Sequence, residues 1–191
     1  LADLGADVLK VEEFTLTGRR AQVKGAKEGA KWLSQTEKDA AYDSIGRNKR
    51  SIGLNLKNDA GREVLFKLAK ESDVLVEEFR PGVVKRLGVD YPTIKKINPQ
   101  IIYLSVTGYG QTGPYKNLVG HDLNYISTAG AQGSIGSPNG DHAIPQNLVA
   151  DYAGGGMAAA VAVLAALVGR ATTGQGKYVD VAMADGVVYL M

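Results

Sequence analysis

The chain has 191 residues, of which 45% are hydrophobic and 22% are charged, and its formal net charge is +2. This composition is typical of a soluble protein with one substantial core, not of a disordered or membrane protein. The absence of cysteine excludes disulfides, thiolate catalysis and cysteine-based zinc sites, and with two histidines any metal site would depend on carboxylates. The small net charge gives no argument for a nucleic-acid partner.

Both ends of the sequence have the pattern of an internal piece of a longer protein. The chain opens at Leu1 without a signal peptide, and its first residues are typical of a last helical turn that stops at Gly5. It ends inside an apolar segment, residues 187–191, that has no terminating pattern. We therefore expect a fragment with no signal peptide or transmembrane segment. The absence of cysteine fits a reducing compartment, so we expect the cytoplasm, or a mitochondrion or peroxisome if the protein is eukaryotic.

Two strands with a basic segment between them are predicted first. Residues 7–12 and 52–56 have the short apolar pattern of strands that are buried on both faces of a parallel sheet. Residues 15–50 carry nine Lys or Arg against four Asp or Glu, with a helix predicted at about 29–42. We interpret this segment as a solvated loop or insertion, and the alternative is a phosphate-attracting rim that ends at residues 47–50.

Helices and strands alternate after that. Asn58 is a predicted helix N-cap, because the apolar residues that follow it recur at helical spacing. A strand at 74–76, a short helix from Asp90 or Tyr91 to about 97, and a strand at 101–106 follow. The last strand leads into a glycine-rich loop at 108–114.

This alternation predicts an α/β fold with a right-handed, mostly parallel sheet. Ligands of such sheets bind at the carboxyl ends of the strands, where Lys57, Arg80 and the loop at 108–114 lie. The sequence has neither the Gly-x-Gly-x-x-Gly motif of dinucleotide sites nor a P-loop, so neither kind of nucleotide site is predicted.

Asp151 stands where the chain enters an Ala-rich apolar helix. A carboxylate there can accept hydrogen bonds from the first unpaired backbone N–H groups, so the simplest interpretation is an N-cap. Gly154, Gly155 and Gly156 follow, at a cost of about 1 kcal/mol each relative to Ala, which indicates close approach of a ligand or a second helix. The apolar run at 157–168 is shorter than the roughly 20 residues that span a bilayer.

His121 is the other residue whose side chain could take part in catalysis. A histidine beside an aspartate, here Asp122, is more often a hydrogen-bonded structural residue than a catalyst. Together with Asp151, however, it could form a proton-transfer pair, with the carbanion stabilised as an oxyanion by donors at the start of the glycine-rich helix. Thirty residues separate the two, so the spacing leaves their proximity open. His142 lies in a turn composition and has no predicted role.

Short motifs occur in a specific order along nearly the whole chain, at residues 1–8, 49–57, 72–83, 98–103, 108–113, 120–125, 147–156 and 173–183. In sequence and spacing they resemble the family III CoA-transferases, the CaiB/BaiF-like proteins, and most closely their α-methylacyl-CoA racemase branch. Only residues 15–45 look unlike this family. The resemblance implies a Rossmann-like, partial CoA-binding large domain over 1–191, incomplete at both ends. Residues 145–191 would form a helix-rich return segment, and the small second domain is absent.

The resemblance also implies roles for the two candidate residues. The aspartate that matches Asp151 is the nucleophile in the transferases, and in the racemases it is one half of a two-base pair. The other half is the histidine that matches His121. Because the chain keeps that histidine and the Asn124-Tyr125 pair after it, we favour a racemase that moves the α-proton of a 2-methylacyl-CoA through an enolate. The alternatives are a CoA-transferase with an aspartyl-CoA intermediate and a CoA-binding piece without turnover.

CoA would enter as part of the thioester substrate, with no tightly bound cofactor and no metal. By resemblance, the CoA site would comprise Leu54, Asn55, Leu56, Lys57, Arg80, Arg86, Gly120, Asp122, Leu123, Asn124 and Tyr125. Glu13 departs from the family, which commonly has an arginine nearby, so one phosphate contact would be lost. The family also implies a supporting glutamate beyond Met191 and an interlinked homodimer. We therefore expect the isolated piece to be inactive or weakly active. We also expect no nucleic-acid or membrane partner.

Overall fold

The computed structural model describes residues 1–13 and 46–191. The described chain forms two compact units, Leu1–Val64 and Leu65–Met191, which are presented in turn. The helix predicted at 29–42 and most of the basic segment at 15–50 lie outside the described residues.

The first unit is built on two parallel strands, β1 (Val8–Glu13) and β2 (Lys49–Leu54). The predicted strand at 52–56 is thus correct in kind but wrong at both ends. It stops early because the Asn55 side-chain oxygen accepts a hydrogen bond from the Lys57 N–H at 3.0 Å, which turns the backbone. Residues 49 and 50, predicted to belong to a solvated basic loop with a phosphate-attracting rim as the alternative, are part of β2.

A 3₁₀ turn, Ala2–Leu4, precedes β1 and ends at Gly5. Gly5 has a φ of 95°, the left-handed conformation in which glycine commonly stops a helix, as predicted. The turn is joined to the start of β2 by Asp3, which accepts a hydrogen bond from Arg47 at 2.6 Å. Both side chains are exposed, so this pair contributes little to stability.

Helix α1 (Asp59–Glu71) begins in the first unit and ends in the second. Its start confirms the predicted cap, because the Asn58 side-chain oxygen accepts a hydrogen bond from the Gly61 N–H at 2.8 Å.

The second unit contains a sheet of three parallel strands: β3 (Val74–Glu77), β4 (Ile102–Thr107) and β5 (Lys177–Ala182). β4 is the central strand. All strand pairs of the described chain are parallel, and helices connect the three strands of this sheet, which confirms the predicted α/β class. Glu77, Ser105 and Asp180 are opposite one another across the three strands.

Two short helices connect β3 to β4. Helix α2 (Val83–Leu87) was not predicted, because it has five residues and lies between two glycines in the left-handed conformation. Helix α3 (Tyr91–Ile97) matches its prediction, and the Asp90 carboxylate accepts a hydrogen bond from the Thr93 N–H at 3.3 Å.

The remaining helices lie between β4 and the C-terminus. Helix α4 (Asp122–Ala129) is followed by a 3₁₀ turn, Ala131–Ser134. A π-helix, Leu148–Met157, continues directly into helix α5 (Ala158–Thr173). Helix α6 (Met183–Leu190) follows β5. The π-helical turn has no local sequence pattern that would have predicted it, although such turns are frequent at functional sites.

Apolar clusters lie on both faces of the central strand. Ala69, Ile94 and Tyr103 belong to one buried cluster, whereas Leu104 packs with Val163 of α5 in another. Because neighbouring residues of β4 enter different clusters, the strand is buried on both faces and lies between helical layers.

A third cluster joins α4, the π-helix and α6. It contains Tyr125, Ile126, Ala150 and Val187, each 8% exposed or less. These residues form the base beneath the segments that carry His121 and Asp151. The site is therefore built on packed helices, not on a free loop.

The continuous helical segment Leu148–Thr173 has 26 residues, long and apolar enough by length and composition to cross a membrane. This corrects the expectation based on the shorter run at 157–168. Core helices of soluble proteins can have the same length and composition, but they are mostly buried, whereas 22% of the most apolar window of this segment is buried. The absence of a membrane partner therefore stays a prediction.

Candidate active site

The glycines after Asp151 allow two helices to cross in backbone contact. A Cβ atom on Gly186 of α6 would lie 2.0 Å from the Gly154 carbonyl oxygen, and one on Gly154 would lie 2.8 Å from the Met183 carbonyl oxygen. Of the two predicted reasons for bare backbone here, the structure thus supplies the neighbouring helix. This contact positions the π-helix that carries Asp151.

Asp122 links the start of α4 to the first turn of the π-helix. Its Oδ2 atom accepts hydrogen bonds from the N–H groups of Ala150 at 2.7 Å and Asp151 at 2.8 Å. The Asp122 side chain is buried, with 3% of the residue exposed. A carboxylate from a different helix therefore satisfies N–H groups that the π-helix leaves unpaired.

One expectation about this helix start is wrong, and a second applies to fewer N–H groups than the sequence suggested. Asp151 is not the N-cap, because the helix begins at Leu148 and Asp151 lies in its first turn. The N–H groups of Ala150 and Asp151 also cannot serve as oxyanion donors, since Asp122 already occupies both. The sequence places Asp122 28 and 29 residues earlier, and no local pattern indicates such a contact.

The structure brings His121 and Asp151 together. His121 directly precedes α4 and is exposed, and its N–H donates to the Asn124 side-chain oxygen at 3.0 Å. The imidazole acts electrostatically on Asp151, whose amide is held by the very next residue, Asp122. The two segments that carry His121 and Asp151 are therefore neighbours, and the catalytic role of each residue stays a prediction.

The Asp151 carboxyl has a raised pKa. The largest cause is partial burial, which disfavours the charged form, and the second is the neighbouring charge of Asp122. His121 and a hydrogen bond with the Asn147 side chain act in the opposite direction and lower the pKa. A carboxyl group with this balance holds its proton more readily than an exposed aspartate.

Tyr125 fills the space between two glycines at the site. Its hydroxyl donates to the Gly120 carbonyl oxygen at 2.6 Å. A Cβ atom on Gly108 would lie 2.2 Å from the Tyr125 ring, and one on Gly120 would lie 2.7 Å from it. Burial raises the pKa of Tyr125 most, a nearby tyrosine and Asp151 raise it further, and Arg80 lowers it. Arg80 is thus within electrostatic range of the same ring.

The N-terminus of α4 offers donors that sequence reasoning did not consider. Among the described residues, the N–H groups of Asp122 and Leu123 donate no hydrogen bond, whereas the Asn124 N–H donates to the His121 carbonyl at 2.8 Å. Free N–H groups at a helix start also carry the positive end of the helix dipole. They lie next to His121 in the chain and are suited to a developing negative charge.

The other predicted CoA-binding residues are distributed over both units. Arg80 and Arg86 are exposed and lie before and within α2. Leu54, Asn55, Leu56 and Lys57 belong to the first unit, at the end of β2 and after it. Lys57, which is predicted to bind a CoA phosphate, forms an exposed ion pair with Glu13 at 3.3 Å. Glu13 is the residue that departs from the family pattern. The binding roles stay predictions.

A buried polar network was missed from the sequence. The Ser105 hydroxyl donates to Glu77, and the Gln111 side chain donates to the Ser105 oxygen at 2.7 Å. The Gln111 N–H also donates to Asp180 at 3.0 Å. Burial is the largest cause of a raised pKa at Glu77. This network fixes the glycine-rich loop to the carboxyl ends of β3, β4 and β5, where ligands of parallel sheets bind.

A cavity of about 340 Å³ lies beside this loop. Tyr109, Tyr115 and Val188 are among its lining residues, and neither His121 nor Asp151 is. The Tyr109 ring packs edge-to-face against both Tyr115 and Tyr125, with 5.1 Å between the ring centres of Tyr109 and Tyr125. Tyr109 therefore lies between this cavity and the ring that adjoins Asp151.

In the part of the chain that the structure describes, no three histidine, aspartate or glutamate side chains are grouped so that they could hold a metal ion. The available chemistry is that of an imidazole and a carboxyl group near unpaired N–H donors. Such groups on a parallel α/β sheet are of the kind used in acid–base and acyl-transfer chemistry.

Comparison with known proteins assigns the chain to a family. The family model for CoA-transferase family III matches residues 1–191, and the chain belongs to that family, as the sequence motifs predicted. The human alpha-methylacyl-CoA racemase is 40% identical over 164 residues, which cover 85% of this chain and 43% of the relative. The chain therefore spans less than half the length of this curated relative.

Relatives with transferase names match almost as well. The beta subunit of succinyl-CoA--L-malate CoA-transferase from Chloroflexus aurantiacus is 39% identical over 192 residues, 98% of this chain and 44% of the relative. Among solved structures, a CAIB/BAIF family protein from Brucella suis superimposes with a TM-score of 0.84 at 33% identity, covering 98% of this chain and 48% of that one. The family thus joins racemases and CoA-transferases on one fold.

Proposed function

We propose that the protein is an acyl-CoA racemase or epimerase that acts at the α-carbon of 2-methylacyl-CoA thioesters. The observation that supports the proposal is the hydrogen bond from the Asp151 N–H to Asp122, the residue after His121, because it brings the segments that carry His121 and Asp151 next to each other. A transferase that uses an aspartyl nucleophile has no need for an imidazole beside it. The similarity to racemases from human and mouse supports the same reading.

The chemistry requires two groups and one acceptor of charge. One group removes the α-proton, the electron pair of the C–H bond moves into the thioester, and its oxygen becomes an enolate oxyanion. The other group then returns a proton to the opposite face of the same carbon, which inverts it. We assign proton removal and return to His121 and Asp151, each acting as acid in one direction and base in the other.

The enolate oxygen needs donors that are already in place. The free N–H groups of Asp122 and Leu123 are suited to this role because they lie beside His121 and at a helix N-terminus. Removing one such donor typically costs about 10²- to 10³-fold in rate in other enzymes. These donors replace those that the sequence suggested at the π-helix, which Asp122 occupies.

CoA would be held by basic side chains and backbone. We assign the phosphates to Arg80, Arg86 and Lys57 on the basis of the family resemblance and their exposure. CoA is part of the substrate in this proposal, with no tightly bound cofactor. An interlinked homodimer and a cytoplasmic, mitochondrial or peroxisomal setting belong to the same proposal.

A CoA-transferase is the second candidate, supported by the transferase names of several relatives. In that reaction the Asp151 carboxylate would attack the thioester of an acyl-CoA and expel the CoA thiolate, which forms an acyl anhydride. The thiolate would then attack the aspartyl carbonyl, release the donor acid as a carboxylate and leave an aspartyl thioester. The partly buried position of Asp151 is compatible with this role as well. A free carboxylate acceptor would be needed.

One pair of assays separates the two candidates in the complete protein. A racemase exchanges the α-hydrogen of a single 2-methylacyl-CoA epimer for deuterium in deuterated water, and His121→Ala abolishes the inversion. A transferase forms an adduct at Asp151 that hydroxylamine traps, and it keeps full activity in His121→Ala. Absence of exchange together with a trapped adduct contradicts the racemase proposal, and CoA binding without either reaction contradicts both.

A further inference from the structure

Asp122 makes contacts that a substrate-binding residue does not need. Its carboxylate is turned away from solvent, with 3% of the residue exposed. Both N–H groups that it binds belong to the turn that carries Asp151. Hydrogen bonds to a charged acceptor are shorter and stronger than neutral ones, and these measure 2.7 and 2.8 Å. The carboxylate therefore couples the position of one helix to that of the other.

The second oxygen of Asp122 is unusual for a buried carboxylate. Among the described residues, its Oδ1 atom has no hydrogen-bond partner, and no Lys or Arg forms an ion pair with the side chain. A buried charge without a counter-charge is unfavourable. A neutral asparagine could accept the same two hydrogen bonds, so the hydrogen bonds alone do not require an aspartate.

We propose that Asp122 is a positioning residue for proton transfer at Asp151, because it fixes the turn that carries Asp151 and holds a negative charge beside it. This inference rests on the proposed function, in which Asp151 is one of two bases. It assigns to the Asp122 side chain a task distinct from the CoA contact that the family resemblance implied. Only its backbone N–H is left to face a ligand.

The charge of Asp122 acts on the protonation of Asp151. An ordinary aspartate has a pKa near 3.9 and is protonated in roughly one molecule in a thousand at pH 7. A racemase needs the protonated form in one direction, so a raised pKa makes the acid form more available. Burial raises the pKa of Asp151 first and the charge of Asp122 raises it next.

Other charged and titratable groups also lie near Asp151. His121 and Asn147 lower its pKa, and Tyr125 is the nearby phenol on α4. The carboxylate of the crossing helix α6, Asp185, is exposed and lines the cavity beside Tyr109. Arg80 acts on the Tyr125 ring. Asp122 is thus the carboxylate whose charge the geometry couples to Asp151.

The test is Asp122→Asn, which keeps an oxygen acceptor for the two N–H groups and removes the charge. Titration of ¹³C-labelled aspartate carboxyls by NMR, with Asp151 assigned through D151N, measures the result directly. We expect the Asp151 titration to move to lower pH in D122N. The matched control D141N removes the same charge from an exposed turn and leaves the Asp151 titration in place. An unchanged or raised Asp151 titration in D122N overturns the proposal.

The positioning role has a separate readout in amide hydrogen exchange. We expect the amides of Ala150 and Asp151 to exchange slowly in the wild type and in D122N, and at least tenfold faster in Asp122→Ala. If neither variant folds, the wild-type protein still decides. Both amides must then be protected from exchange at neutral pH, and rapid exchange of either one contradicts the proposal.

These measurements do not use turnover, so they distinguish this inference from the proposed function. If D122N shifts the Asp151 titration but the complete protein exchanges no α-hydrogen, the positioning role stands and the racemase assignment fails. If exchange occurs in the wild type while D122N leaves the titration unchanged, the racemase stands and the role of Asp122 is wrong. In the complete protein the acid limb of kcat/KM should move to lower pH in D122N.

Discussion

The contact between Gly186 and Gly154 gives the sharpest prediction about how the site is positioned. In Gly186→Ala the new Cβ atom would lie 2.0 Å from a backbone carbonyl oxygen, where an ordinary contact is 3.4 Å or more. Because the obstacle is backbone and not a flexible side chain, α6 or the π-helix must move by more than 1 Å. Asp151, which the π-helix carries, would move with it.

The magnitude follows from two opposing effects. Overpacking a close contact costs about 1–3 kcal/mol, and a rigid backbone contact belongs at the upper end of that range. Replacing glycine by alanine inside a helix returns about 1 kcal/mol. We therefore expect G186A to lower the free energy of unfolding by about 2 kcal/mol.

The matched control is Gly169→Ala in α5. Gly169 is exposed, and a Cβ atom there would meet nothing within 4 Å. The same substitution should thus stabilise the protein by up to about 1 kcal/mol. Urea denaturation followed by circular dichroism measures both variants, and their free energies of unfolding should differ by about 3 kcal/mol. Equal free energies for G186A and G169A would refute the helix-crossing argument.

Three further predictions concern the site. The pKa of Asp151 is raised in the folded state, so its ionisation destabilises the fold once the pH rises above the pKa that Asp151 has in the unfolded chain. D151N should therefore gain stability relative to wild type between pH 4 and pH 7 in urea titrations, and a constant difference contradicts this. Glu13→Gln frees Lys57 from an exposed ion pair, so CoA should bind up to about fivefold tighter by calorimetry, and weaker binding contradicts a phosphate role. Tyr125→Phe removes a hydrogen bond to a backbone carbonyl and should cost about 1–2 kcal/mol of stability, whereas a neutral change would show that the bond is not retained in solution.

Local patterns in the sequence predicted most of the regular elements. Asn58 and Asp90 cap their helices as expected, because an N-cap depends only on residues within one turn. The strands at the centre of the second unit were found because buried parallel strands are continuous apolar runs. The end of β2 was misplaced because a side-chain hydrogen bond of Asn55 competes with the strand ladder.

The interior of the site depends on contacts between residues far apart in sequence. Asp122 reaches across 28 residues to the π-helix, and Gln111 reaches across 69 residues to Asp180. Neither contact leaves a periodic or turn pattern. The pairing of His121 with Asp151 was suggested by chemistry and by family resemblance, whereas its geometry could come only from the fold.

Gly154 illustrates the same division. Its cost in a helix indicated that something must approach the backbone closely, which sequence alone could establish. Whether the neighbour was a ligand or a helix depended on the position of α6, more than thirty residues later. The structure supplies Gly186 as the partner, so the glycines serve packing that in turn places Asp151.

The central claim is that His121 and Asp151 act on opposite faces of one α-carbon. The most direct measurement follows α-hydrogen exchange of each pure epimer in deuterated water with two variants of the complete protein, His121→Gln and Asp151→Asn. Each variant keeps one base, so each should still exchange the hydrogen of one epimer, and the two variants should retain opposite epimers. Loss of the same epimer in both variants, or exchange of both epimers by either one, would contradict the two-base account.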